Sequence, residues 1–347
     1  MKKVLILGAT GAMATYLVPA LLGKDMYVTG VSLDDVTSDD PRLRYVKGNA
    51  IDKAFLQEML MDGYDAIVDF MVYNRKELFE EYYKLYLENT SHYIFLSTYR
   101  IYADEYPITE NSLRLLEAEK PSDFVSFEEY SIYKAEEEDL LRSSEYRHFT
   151  IVRPAVTYSQ CRFQLTTLEA NVLIYRMMHG KTVILPEGAM DCEATMSWAG
   201  DVAKMLSAII LNPKTYGETY TVSTAEHHTW RQIAEMYKRI GGLKYITVKN
   251  AEYIELLGGS VYAKQQLEYD RCYHRIIDNT KILQLCGFSQ AELMPLEEGL
   301  RMEFESLTEE RLGRIGCNIK VNNSMDAYLK ALKDRENNPY PRETGVL

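Results

Sequence analysis

Up to Pro154 the chain alternates short apolar runs with segments whose apolar positions recur every three or four residues. The runs "KVLILG" (3–8), "MYVTGVS" (26–32), "RYVKG" (44–48), "DAIVDF" (65–70), "YIFLS" (93–97) and "HFTIVRP" (148–154) predict strands. Segments near 12–23, 53–62, 75–89 and 128–145 predict helices between them. Strands this continuously apolar are covered on both faces, as parallel sheets are. With right-handed crossovers the alternation gives an α/β fold, a doubly wound Rossmann-like parallel sheet. A seventh strand is predicted at "ETYTVS" (218–223).

Beyond Pro154 the alternation loosens, and the stretches near 165–180 and 226–300 read as mainly helical. In "HHTWRQIAEMY" Thr229 is placed to cap a helix with Gln232 three residues on, and the adjacent His227 and His228 read as a polar loop before it. The expected organisation is a sheet domain over 1–160, rejoined by 190–225, with a smaller, mostly helical substrate-binding region over 161–189 and 226–335. The end, "DRENNPYPRETGVL", is polar with two prolines and reads as a loose tail, set at 336–347.

Composition narrows the function classes. The chain has 347 residues, 46% of them hydrophobic, enough for a large core. Its formal net charge of −12 opposes a general nucleic-acid surface, which needs a concentrated positive field. No apolar stretch approaches a membrane span and the start carries no cleavage-site pattern, so a cytoplasmic protein is expected. Five scattered cysteines without a C-x-x-C pair read as buried, reduced thiols, and neither they nor the histidines give metal-ligand spacing.

Candidate chemistry begins at residue 3. "KVLILGATGAMATYL" is a strand, then Gly8-x-x-Gly11-x-x-Ala14, then a helix. Glycines at such a turn admit a pyrophosphate to the backbone, where the helix N-terminus supplies amide donors and partial positive charge. The third position needs only a small residue, and the loop's place at the head of a β-α-β run reads as dinucleotide binding. The residues of this loop expected at the cofactor are Gly8, Thr10, Gly11, Ala12 and Met13.

This loop, "STYRIYAD" (97–104), Tyr130-x-x-x-Lys134 and "IVRPAVTY" (151–158), in this order, resemble the extended short-chain dehydrogenase/reductase superfamily, the group of NAD-dependent epimerases and dehydratases. "GDVAKML" (200–206), "DNTKILQLCGF" (278–288) and "PLEEGL" (295–300) extend the resemblance from residue 3 to about 305. It implies a catalytic set. Tyr130 is the acid/base on a carbinol hydroxyl, Lys134 favours its phenolate and holds the nicotinamide ribose, and Thr98 donates to the same oxygen. Tyr130 and Lys134 share one helix face, and a phenol needs such a neighbour to act as a base at neutral pH. Tyr133 points elsewhere and is a second-choice base. The step Ile101-Tyr102 sets the register on Thr98, leaving Ser97 as a neighbour.

The family's 4,6-dehydratases place an Asp-Glu pair after the threonine. Here Tyr99 and Arg100 stand there, neither a ready proton carrier, so no 4,6-dehydration is expected. Arg100 reads either as a contact for an anionic substrate at the site mouth or as a solvated arginine. Trp198 is either a stacking surface for substrate or a packed core residue.

On the cofactor side, Ser32 occupies the position where NAD-binding folds usually carry an acid. No arginine follows to pair a 2′-phosphate, and Asp34, Asp35, Asp39 and Asp40 would repel one, so NAD is expected with NADP not excluded. Asn49 either accepts from the adenine amino group or simply shapes its turn. Ala50, Phe70 and Pro154 complete the expected cofactor contacts, although "MVYNRKE" replaces the small-residue phrase the family has beside Phe70. The reading that follows is an NAD(P)-dependent epimerase of a nucleotide sugar or similar carbinol. The alternatives are a net dehydrogenase or reductase of another alcohol or carbonyl, and a non-enzymatic nucleotide- or RNA-binding protein on the same fold. By resemblance a homodimer is expected.

Overall fold

The computed structural model describes residues 1–120, 124 and 130–337. Six strands, β1 (Lys3–Leu7), β2 (Tyr27–Ser32), β3 (Leu43–Lys47), β4 (Tyr64–Asp69), β5 (Thr90–Leu96) and β6 (Phe149–Val152), fall where the apolar runs place them. They pair in parallel in the order β3-β2-β1-β4-β5-β6, and the short strand Thr219–Tyr220 closes the β6 edge. The crossovers are α1 (Ala14–Leu22), α2 (Lys53–Leu60), α3 (Lys76–Glu88) and α4 (Tyr130–Ser143). Predicted helix positions 128 and 129 lie outside the described residues.

Strand period explains how the sheet is covered. In β1, Val4 and Ile6 enter one core with Leu17 of α1 and Leu206 of the helix Ala199–Ile209, while Leu5 and Leu7 enter the opposite core with Phe79, Tyr86 and Leu141 of α3 and α4. All four β1 side chains are wholly buried, each worth about 1.5–3 kcal/mol of apolar burial. A third core, around Trp230, Tyr237 and Leu173, joins the C-terminal region to Tyr99, Ile101, Ala135 and Val156 of the sheet domain.

That region holds more strand than its pattern suggests. "KYITV" within the supposedly helical 226–300 is a strand, Lys244–Val248, paired in parallel with Thr182–Pro186. His227–Thr229 is likewise a strand and not a loop, antiparallel to Glu193–Trp198, which also pairs with Val156–Tyr158. Runs this short carry too little periodicity to be told from helix or loop. Thr229 and Gln232 do form the expected capping box at the start of the helix Trp230–Gly241. The polar end is helical further than expected, since Ile319–Asn337 is one helix and takes in the first residues assigned to the tail; 338–347 lie outside the described residues. The cysteines are free, four of them half-buried and Cys317 exposed. Among the described residues no His, Cys, Asp and Glu group could hold a metal, and no helix is long and apolar enough to cross a membrane.

Candidate active site

β1 has β2 on one side and β4 on the other, so strand order reverses there and a crevice opens beyond the strand ends. A cleft of about 650 Å³ occupies it. Leu7 leads into Gly8 at φ +84°, and the amides of Gly8 and Ala9 both donate to Val31 O at 3.0 Å, which turns the chain sharply. A Cβ on Gly11 would stand 3.2 Å from Gly8 O. α1 then starts behind Met13 with no side-chain cap, so the partial positive charge of its N-terminus is not offset by a side chain. We expect Gly11→Val to weaken dinucleotide binding on the order of 100-fold, measured by calorimetric titration, because the added branches crowd the backbone that must approach the phosphates.

Thr10, Ala12 and Met13 line the cleft here, as do Ser32, Asn49, Ala50 and Phe70, whereas Pro154 lines it beside Tyr99, whose amide donates to Pro154 O at 3.1 Å. Ser32 Oγ lies 2.7 Å from Thr10 Oγ1 and accepts from Asp34 N at 3.0 Å. That bond presents Asp34, which also lines the cleft, two residues beyond the usual acidic position. Asn49 Oδ1 accepts from Ile51 N at 3.0 Å, so the amide shapes its turn while still facing the cleft.

At the other end β5 delivers Ser97 and Thr98, and a single 3-10 turn, Tyr99–Ile101, follows. Thr98 Oγ1 accepts from Arg100 N at 3.2 Å, which caps that turn, and Tyr130 opens α4 across from it. Thr98, Tyr99, Arg100 and Tyr130 all line the cleft. Arg100 is buried inside the site and not at its mouth: Nε is 3.3 Å from Asp270 Oδ2, and its guanidinium lies 5.4 Å from the Tyr130 ring centre and 5.9 Å from that of Tyr262. Tyr99 is fully engaged, its hydroxyl accepting from Arg271 Nη1 at 2.9 Å and donating to Asp270 at 3.3 Å. Burial pushes the Tyr99 phenol up to about 12.

Lys134 lies one turn behind Tyr130 and outside the cleft wall. It is wholly buried, Nζ 2.9 Å from Glu137 Oε2 and 4.5 Å from the Phe95 ring centre. Burial works against its charge, but Glu137 first, then Tyr130 and Asp69, outweigh burial and raise its pKa. Trp198 also stands outside the cleft, its Nε1 donating to Glu303 at 2.6 Å and its ring edge-on to Tyr16 and covering Gly200. That is packing between the sheet domain and the C-terminal region, not a substrate surface.

The sequence reading missed the rest of this wall. Arg162, Gln164, Glu169, Tyr262, Gln266 and Arg271 come from a short two-stranded hairpin, the bend before it and short helices far along the chain, and carry no motif. Asp270 organises part of it, accepting from Arg271 and from Arg275 Nε at 3.1 Å. Burial would raise the Asp270 carboxyl, but Arg271, Arg275 and Arg100 together hold it below its ordinary value.

Residues 4–223 match the model of the NAD dependent epimerase/dehydratase family. The chain belongs to that family. Family members are NAD-dependent enzymes of the extended short-chain dehydrogenase type, and the cleft fits NAD: a glycine cradle that a Cβ would crowd, an open helix N-terminus, and Asp34 beside the strand end. Solved structures of the same architecture include an epimerase from Methanothermobacter thermautotrophicus (13% identity, 90% of this chain and 94% of that one, TM-score 0.66). A UDP-glucuronic acid 4-epimerase from Bacillus cereus, in complex with UDP-glucuronic acid and NAD, is 18% identical over 87% of this chain and 98% of its own, with TM-score 0.65. A dTDP-glucose 4,6-dehydratase from Bacillus anthracis, in complex with NAD, is 15% identical over 91% and 100%, with TM-score 0.68. Likeness at such identities is likeness of fold, and epimerase and dehydratase share it. No curated protein sequence matches.

Proposed function

We propose that this family member is an NAD-dependent epimerase acting on a nucleotide sugar or a similar carbinol, and that it is not a 4,6-dehydratase. The observation that carries the reading is the convergence of Thr98 and Tyr130 on one cleft whose far end is the glycine loop. NAD bound there supplies a hydride acceptor that can also return the hydride. The chain's own part is proton management: Tyr130 takes the carbinol proton as the ketone forms and gives it back, Thr98 holds the same oxygen, and Lys134 and Arg100 place positive charge beside the phenol. Asp34 is placed for the adenosine ribose hydroxyls, which favours NAD over NADP. Dehydration needs further proton carriers after the threonine. Tyr99 is held between Arg271 and Asp270 with its proton retained, and Arg100 does not titrate near neutral pH. Arg100, Arg162 and Arg271 on the substrate wall suit an anionic substrate.

The test begins by denaturing purified protein and identifying released nucleotide by mass and absorbance, with NAD expected. Turnover is then followed across a panel of nucleotide sugars, hexuronic ones included. Epimer formation without net NADH supports the reading; stoichiometric NADH marks a net dehydrogenase, and absence of dinucleotide binding overturns both.

A further inference from the structure

Behind Tyr130 lies an acidic chamber that the proposed reaction does not yet use. Lys134 and Glu137 sit one turn apart on α4, both wholly buried, with Nζ 2.9 Å from Oε2. No hydroxyl or amide among the described residues donates to either oxygen of Glu137. Asp69, at the end of β4, faces the same chamber but is differently placed: it accepts from Tyr93 Oη at 2.6 Å, Tyr73 Oη at 2.8 Å and Met71 N at 2.9 Å. Asp69 is thus satisfied by neutral donors, whereas Glu137 has the ammonium.

A lone buried ion pair is a poor device for stability, because desolvating two charges cancels most of their attraction. Its value here lies with Lys134. An ammonium shut away from water, against the face of Phe95 and with only Met71 O at 3.5 Å as a further acceptor, would tend to lose its proton. We infer that Glu137 is the positioning residue that keeps Lys134 charged and fixed behind Tyr130. It touches neither substrate nor cofactor and acts through the lysine. The groups facing the pair are Tyr130 and Glu136 on α4, Asp69 on β4 and Tyr93 on β5, with Tyr73 and Tyr86 behind Asp69. Glu137 and Asp69 each carry a raised pKa, from burial first, and Glu137 reaches about 7. Lys134 is the cation that draws Glu137 back down.

The inference rests on the reading of Tyr130 and Lys134 as the reacting centre, and its test separates the two. Glu137→Gln and Glu137→Asp are compared with wild type over the pH profile of kcat/KM, on the substrate that the panel identifies. The expected result is an alkaline limb at least about one pH unit lower in the Gln variant, because the lysine gives up its proton sooner, with the Asp variant between. An unshifted limb, or an equal loss at every pH, overturns the inference. A second measurement needs no substrate and leaves Glu137 in place. In wild-type protein carrying lysine labelled with carbon-13 at Cε, the Lys134 signal, assigned by its loss in Lys134→Arg, should stay in the ammonium form beyond pH 10. Titration well below that overturns the inference. If Tyr130→Phe leaves turnover intact the functional reading falls; if it abolishes turnover and the Glu137 profile is unchanged, only the role of Glu137 falls.

Discussion

Phenylalanine in place of Tyr130 is expected to lower kcat by about 10²–10⁴-fold while leaving NAD affinity within a few-fold of wild type. The glycine loop, where the cofactor's phosphates and adenosine are expected to sit, follows β1, whereas this hydroxyl is carried by α4. Removing one oxygen should therefore spare binding and strike the chemical step. Stability should change little, because Tyr130 is half-exposed in the cleft wall and its ring still lies against Arg100 and Tyr133. Single-turnover measurement of cofactor reduction by absorbance gives the loss directly. Near-normal turnover would pass the proton-transfer role to another group.

The second large effect concerns the fold. Glu138, next to Glu137 on α4, is wholly buried and accepts from Arg153 Nε at 2.8 Å and Nη2 at 2.5 Å, with Arg142 at 3.4 Å and Arg114 at 3.8 Å. Arg153 follows β6 and ties that strand end to α4, donating also to Tyr102 Oη at 2.7 Å and Glu110 O at 3.0 Å. Glu138→Ala strands that guanidinium in the core and is expected to cost about 3–5 kcal/mol, read as a lowered urea midpoint. Burial would raise the Glu138 carboxyl, but Arg153 and then Arg142 more than offset it and hold the folded pKa below the ordinary glutamate value. Its contribution is therefore complete above that ordinary value and is lost as pH falls through the depressed one. The stability gap between wild type and variant should close on acidification, starting below about pH 4.5.

The sheet and the glycine loop were legible because local pattern decides them. β1 is apolar at every position from Val4 to Leu7 since both faces are covered, and the turn at Gly8 needs a positive φ that glycine tolerates. Thr98 and Tyr130 were legible for a different reason: resemblance supplied their register, and the fold brings them to one cleft. The C-terminal region resisted. Its strands are two to five residues long, and partners such as Thr182–Pro186 and Lys244–Val248 meet across a long sequence separation that no local window contains. The Arg271 side of the cleft was hidden likewise, since Arg271 becomes meaningful only when Asp270 and Tyr99 are seen beside it. Of the two readings of Trp198 the structure takes the packed one, which sequence could not decide because an aromatic near a binding region says nothing about which way it faces; Glu303, its partner, lies about a hundred positions away.

Asp270 ends the C-terminal region's claim to be a separable module. One carboxylate accepts from Tyr99 of the sheet domain, neighbours Arg100 of the same turn, and gathers Arg271 and Arg275 from its own segment. A chimera that exchanges the C-terminal region to alter substrate range would deliver new arginines against old residues at 99 and 100, or leave a carboxylate in the core without its counter-charges. Segments 98–102 and 266–275 are therefore to be exchanged together or not at all, since either alone breaks the charges that Asp270 gathers.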